Sequence, residues 1–202
     1  MTWHYPEMAI LVDATNLTIS DTVYIGAGWG AERYISSKFQ KHYCPNSIQS
    51  ANIGFMSPKG IYVRQRSDGE SCDTEDHIEV VEVKLTPNAT NVETIKSLIQ
   101  FCFQFHDPTH FRGHGPQDKE FRQRSYIFTT DEVQREIAEG VVTNLQDLIK
   151  RGKIRSYKGV TVYATVCDAS EFYRVHEGYQ EYFKKTIIDY SNLFIRFHNW
   201  PS

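Results

Sequence analysis

The sequence predicts an α/β (α+β) fold, a small mixed sheet covered by helices. Three observations carry that prediction. Strand-like and helix-like segments alternate along the chain, the arrangement of helices packed on a sheet. Within 78–85, Val81, Val83 and Leu85 alternate with Glu82 and Lys84, the two-residue period of a half-buried strand. No repeat, linker or low-complexity run divides the 202 residues; with 40% hydrophobic and 13% aromatic content they can bury one sizeable core, so 1–202 reads as a single domain.

The elements follow in order. Residues 1–19 read as an N-terminal extension whose apolar run, Met8 to Val12, lacks a basic start and is too short for a secretory core or a membrane span. A soluble, cytoplasmic protein with no membrane partner is therefore expected. Strands are predicted at 22–27, 49–56, 78–85, 124–129 and 160–166 from β-branched and aromatic density. Helices are predicted at 29–41, 91–105, 131–151 and 172–185. Two of them are expected to open on capping boxes, Thr90-x-x-Glu93 and Thr129-x-x-Glu132, in which each end satisfies the other's orphan amide.

A formal net charge of −3 gives no reason to expect a nucleic-acid partner. Arg33, Lys38, Lys41, Lys59, Arg64 and Arg66 crowd a stretch without a carboxylate, and IKRGKIRSYK spans 149–158; both read as solvated faces. Cys44, Cys72, Cys102 and Cys167 show no CxxC spacing, which fits free thiols rather than a disulfide framework or a zinc site. His106, His110 and His114 recur every four residues, but Pro108 and Gly113 interrupt any helix there, so no metal site is expected.

The chemistry-bearing stretch is TVYIGAGWGAE at 22–32, an apolar strand breaking into a glycine-rich turn before a helix. Gly26-x-Gly28-x-x-Ala31 meets the relaxed dinucleotide fingerprint, but the acid that would hold a ribose hydroxyl about twenty residues on is absent. No flavin, nicotinamide or other cofactor is expected. The remaining use of such a turn is a catalytic loop.

Downstream, HDPTHFRGHGPQDKEFRQRSYIF at 106–128 resembles the HDPT...GxDxGxQYRSxIF signature of the type A peptide methionine sulfoxide reductases. GAGWGAE is similar to their GCFWGxE loop, DHIEVVEV at 76–83 to their GHAEVVxV strand, and EFYRVHEGYQEYF at 171–183 to their FYxAExYHQxYL segment. The matches span about 20–195 and imply that family's fold, a mixed sheet with a ferredoxin-like core. The resemblance also implies a chemistry: the loop cysteine attacks the sulfoxide sulfur as a thiolate, the strand glutamate protonates the departing oxygen, and later cysteines resolve the sulfenic acid.

The departures bear on that chemistry. Ala27 occupies the nucleophile's position, and a methyl group has neither lone pair nor redox chemistry. Asp189-Tyr190-Ser191-Asn192 corresponds to the GYCG resolving motif and holds no thiol. Trp29 matches the motif's tryptophan, Glu79 the proton donor and Asp118 the aspartate of GxDxG, while Glu32, the last residue of the loop motif, reads as structural. Gly28 replaces the motif's phenylalanine, Phe55 and Gln123 replace tyrosines, and Tyr179 replaces the histidine of YHQ.

Glu79 and Asp118 are therefore the candidate catalytic residues, with Gly28, Trp29, Phe55, Gln123 and Tyr179 lining a binding pocket. An aromatic pocket is expected to penalise the charge of Glu79 and suit it to acid catalysis, with Asp118 ionised on a polar loop as base or orienting group. Two function classes follow. One is a repurposed non-redox enzyme, an isomerase or cyclase acting on a small, fairly apolar molecule. The other is a pseudoenzyme that only binds such a ligand, methionine-like groups included. A reductase using a relocated thiol, Cys44 or Cys72, is the third alternative; Cys102 reads as a core residue and Cys167 as a half-buried one following a strand.

Overall fold

The computed structural model describes residues 18–26, 31–59, 77–109 and 125–180. Six strands form one sheet: β1 (Thr22–Gly26), β2 (Ile48–Met56), β3 (Ile78–Leu85), β4 (Tyr126–Thr129), β5 (Thr165–Asp168) and β6 (Tyr173–Arg174), in the order β5-β4-β1-β3-β2-β6. β5 runs parallel to β4 and every other pairing is antiparallel, so the sheet is mixed. The helices are α1 (Ala31–Tyr34), α2 (Gln40–His42), α3 (Val92–Phe105) and α4 (Glu132–Lys150), with a π-helical stretch, Ile35–Phe39, joining α1 to α2 in one run. From β1 to β4 the chain reads β-α-β-β-α-β with strand order 4-1-3-2, the ferredoxin-like arrangement.

The alternation of β3 explains the layers. Val81, Val83 and Leu85 face the helices and join Val23, Ile25 and Ile127 in the main core. Against them pack Ile35 and Phe39, Ile95, Leu98 and Ile99 of α3, and Val133, Ile137, Val141 and Leu145 of α4. Side chains as fully buried as Leu85 and Ile95 contribute about 1.5–3 kcal/mol each. Aromatic contacts fix the helical run against α3: Tyr34 stacks on Phe105 at 5.3 Å between ring centroids, and Phe39 meets Phe101 at 5.6 Å. On the other face Met56, Ile78, Val80, Tyr126 and Phe128 form a second cluster. Gly54 is required there, because a Cβ would come within 2.3 Å of the Phe172 ring.

The helix caps differ from the expected boxes. Asn91 caps α3 by accepting from the Thr94 amide at 2.9 Å, and Asp131 caps α4 by accepting from the Gln134 amide at 2.8 Å. Thr90 instead donates its hydroxyl to the Thr86 carbonyl, and Thr129 is still in β4, donating to the Cys167 carbonyl. The carboxamide and carboxylate caps have displaced the threonines. At the far end of α4, Gly152 adopts φ +68° and the amides of Gly152 and Lys153 bond back to Ile149 and Leu148, closing the helix.

Two further expectations are corrected. The last strand lies at Thr165–Asp168 rather than 160–166, because residues 157–163 are held as a loop by the turn after α3. The helix expected at 172–185 is absent over its described part: Tyr173–Arg174 is strand β6, followed by a turn through Gln180, while 181–185 lie outside the described residues. Its amides went to β2, with the Val175 N–H bonded to the Ile53 carbonyl at 3.1 Å. No helix among the described residues is long and apolar enough to cross a membrane.

Candidate functional site

The site is built at the end of the sheet where β1 leaves and β2 and β3 lie side by side. Phe55 and Glu79 are register partners in the β2–β3 ladder, on the helix-covered face with Ile53 and Val81. Phe55 is buried and Glu79 half-buried. With Phe55 cluster Val175, Ile53, Tyr173 and Tyr179, an apolar wall supplied by β2, β6 and the segment that follows β6. The ladder between β1 and β3 is described as far as Ile25 and Val81, and Val81 follows Glu79 by two residues on the same face. Glu32, in the first turn of α1, is buried with 2% exposure.

Gln180 holds this wall in place. Its side-chain oxygen accepts from the Ile53 amide at 2.8 Å, while its nitrogen donates to the carbonyls of Ile53 at 2.9 Å and Val175 at 3.0 Å. The carboxamide thus substitutes for a peptide unit between β2 and β6 and ties down the turn that carries Tyr179, which packs against the Phe55 and Val175 cluster. Sequence reasoning did not assign Gln180 a role; the signal was a glutamine quoted inside the EGYQEYF motif.

The structure therefore brings together three of the predicted site residues, Glu79, Phe55 and Tyr179. Ala27, Gly28, Trp29, Asp118 and Gln123 lie outside the described residues, as do Cys72, His110 and His114. Among the described residues no group of three His, Cys, Asp or Glu could hold a metal ion.

The HDPT turn is a clip. Asp107 accepts from the Thr109 amide at 2.9 Å and its hydroxyl at 2.5 Å, and from the Lys158 amide at 3.1 Å; the Thr109 hydroxyl accepts from Gly159 at 2.8 Å. Tyr157 donates to the Phe103 carbonyl at 2.6 Å. His106, at the end of α3, is buried.

The described thiols are placed for packing. Cys102 is 2% exposed, and burial pushes its thiol strongly up, which suppresses the thiolate. Cys167 lies inside β5 rather than after a strand, half-buried, its thiol also raised by burial. Cys44 packs against the main core at the end of the helical run.

A mixed sheet in ferredoxin-like order, with a strand carboxylate beside an aromatic wall, defines the class of fold and site. Residues 22–199 match the model of the family described as peptide methionine sulfoxide reductase, and the chain belongs to that family. It is 31% identical over 171 residues to the peptide methionine sulfoxide reductase MsrA of Mycobacterium tuberculosis, covering 85% of this chain and 81% of that protein. To the MsrA of Nitrobacter winogradskyi it is 32% identical over 125 residues, 62% of this chain and less than two thirds, 63%, of the relative. The reduced form of Mxr1 from Saccharomyces cerevisiae superposes with a TM-score of 0.63 at 19% identity, covering 90% of this chain and 93% of that one. Methionine sulfoxide reductase A of Corynebacterium diphtheriae gives 0.60 at 24% identity, covering 84% and 76%. At these identities the two structures establish the fold.

Proposed function

We propose that this family member has exchanged thiolate chemistry for acid–base chemistry on a small, fairly apolar molecule held in the former sulfoxide pocket. The observation that carries the reading is the juxtaposition of a half-buried strand carboxylate, Glu79, with the aromatic wall of Phe55 and Tyr179, in a chain whose loop holds Ala27 where the family motif has cysteine. A carboxylate beside an apolar wall gives up solvation, and a proton donor or acceptor toward a ligand is a use for it. Glu79 acts as the acid, and Asp118 as base or orienting group; Gly28, Trp29 and Gln123 complete the pocket. No cofactor takes part, and the partner is a small molecule rather than nucleic acid or a membrane.

The burial of Cys102 argues against that thiol as a substitute nucleophile, which leaves Cys44 and Cys72 as the thiols to test. A pseudoenzyme that binds through the same wall is the second reading, favoured by the apolar character of the Phe55, Val175 and Tyr179 cluster. The test is methionine sulfoxide reduction with dithiothreitol or thioredoxin as reductant. The expected result is no turnover above a no-enzyme control; turnover abolished by mutating Cys44 or Cys72 overturns the proposal.

A further inference from the structure

A small space separates the sheet from α3 where β4 begins. Ile127 belongs to the helix-covered face, while Tyr126 and Phe128 belong to the opposite one. Ser125, two residues before Ile127, therefore turns its side chain toward the helices. On α3, Ile99, Cys102 and His106 recur at intervals of three and four residues, one stripe of the helix turned down toward the sheet. These side chains, with Ile25 and Ile127, line a cavity of about 10 Å³. Ser125 is 5% exposed, and its buried hydroxyl has no hydrogen-bond partner among the described residues. His106 directly follows α3 and Ser125 directly precedes β4, so both ends of the connection between these elements meet at the cavity.

Size and polarity decide what such a cavity takes. One water needs about 10–15 Å³, so there is room for a single water and for nothing larger. A molecule in so small a space touches every wall. Three of the lining side chains carry heteroatoms, the Ser125 hydroxyl, the Cys102 thiol and the His106 imidazole, which supplies the two to four polar partners that a buried water requires. Burial raises the Cys102 thiol, which therefore keeps its proton and serves as a weak donor. No carboxylate is among the lining residues, so a cation would meet no counter-charge. A buried hydroxyl left unpaired carries its whole desolvation penalty, whereas immobilising one water costs no more than that and often much less. Occupancy is the more stable state.

We infer that Ser125 holds one internal water molecule in this cavity, which bridges it to Cys102 and His106 and so joins the start of β4 to the end of α3. Ile25 pairs with both Ile127 and Val81, which places Ser125 and Glu79 at one level of the sheet with β1 between them. At about 4.8 Å between strands, the two lie roughly 10 Å apart. The water site is therefore separate from Glu79 and independent of the acid–base reading of the pocket.

The test is NMR on the full chain. In wild type the methyl groups of Ile99 and Ile127 should show NOEs to water with the negative sign of a molecule held for longer than the protein takes to tumble. Oxygen-17 relaxation dispersion, which sees whole water molecules and not the exchanging hydroxyl proton, should count one long-lived water fewer in Ser125→Ala. Hydroxyl and water leave together in that variant, an exchange near neutral for stability, so it should fold. Glu79→Gln should leave both the count and the NOEs unchanged. Absence of the NOEs in wild type means a dry cavity and overturns the inference, whether or not the alanine variant folds. Equal counts in wild type and folded Ser125→Ala overturn it too. So does loss of the NOEs in Glu79→Gln, which puts the water in the pocket instead.

Discussion

Phe55 and Glu79 face each other across a non-hydrogen-bonded rung of the β2–β3 ladder. The parity comes from Gln180, which takes the outward groups of Ile53 and so marks Phe55, two residues on, as outward too. In such a rung the two Cα atoms are about 4.5 Å apart, the closer of the two spacings, and the side chains share one environment. Apolar burial and charge are therefore set against each other by register.

Glu79→Gln is expected to lower turnover by about a hundredfold or more on the substrate, once one is found, while leaving binding nearly intact. Steady-state and binding measurements on the same variant separate the two effects. Full retention of activity returns Glu79 to the role of a structural carboxylate and favours the binding-only reading.

Alkaline pH should unfold the protein through Tyr24. Burial first, and the charge of Glu82 second, push its phenol from 10.0 up to about 12. The folded state then holds the proton longer than the unfolded chain, so stability from this group is complete below pH 10 and declines as pH rises toward 12. Urea midpoints across that window should fall more steeply for wild type than for Tyr24→Phe. Parallel slopes would rule the tyrosine out as their source.

Gln180→Leu keeps much of the side chain's bulk but strips three hydrogen bonds from Ile53 and Val175. Each buried group left unpaired costs about 1–3 kcal/mol. Urea denaturation should register a loss of at least that size, and a neutral result would mean that water replaces the carboxamide.

Ser125 presents the opposite case. It is 5% exposed, and its hydroxyl has no hydrogen-bond partner among the described residues. Ser125→Ala should hold stability constant or raise it by up to about 1 kcal/mol in the same assay. A clear loss would show that the hydroxyl is satisfied in solution.

Strands β1 to β4 were legible because β-branched density and two-residue alternation are local signals, while the ferredoxin-like core was implied by the motif resemblance and not by the order of elements. β6 was not legible. Its two residues are strand because Phe172 packs over Gly54 and Gln180 bonds to Ile53, contacts between segments more than 110 residues apart. The apolar spacing of 172–185 looked helical because nothing in its own sequence announces the neighbouring edge. Of the candidate site, the motif resemblance proposed Glu79, Phe55 and Tyr179; their placement near one another depends on register and on the turn at Gln180, which only the folded chain supplies.

The central position of β1 has a consequence for synthesis. This strand lies between β3 and β4, and Gly26 pairs with Tyr126. Gln134 donates to the carbonyls of Ser20 and Thr22, 114 and 112 residues upstream. At about 5–20 residues per second on the ribosome, roughly 5–20 s separate the making of β1 from that of β4. For that interval the future middle of the sheet is itself an open edge, exposed to whatever strand is nearby. A nascent chain arrested before β4 should therefore be the species that aggregates or recruits chaperones.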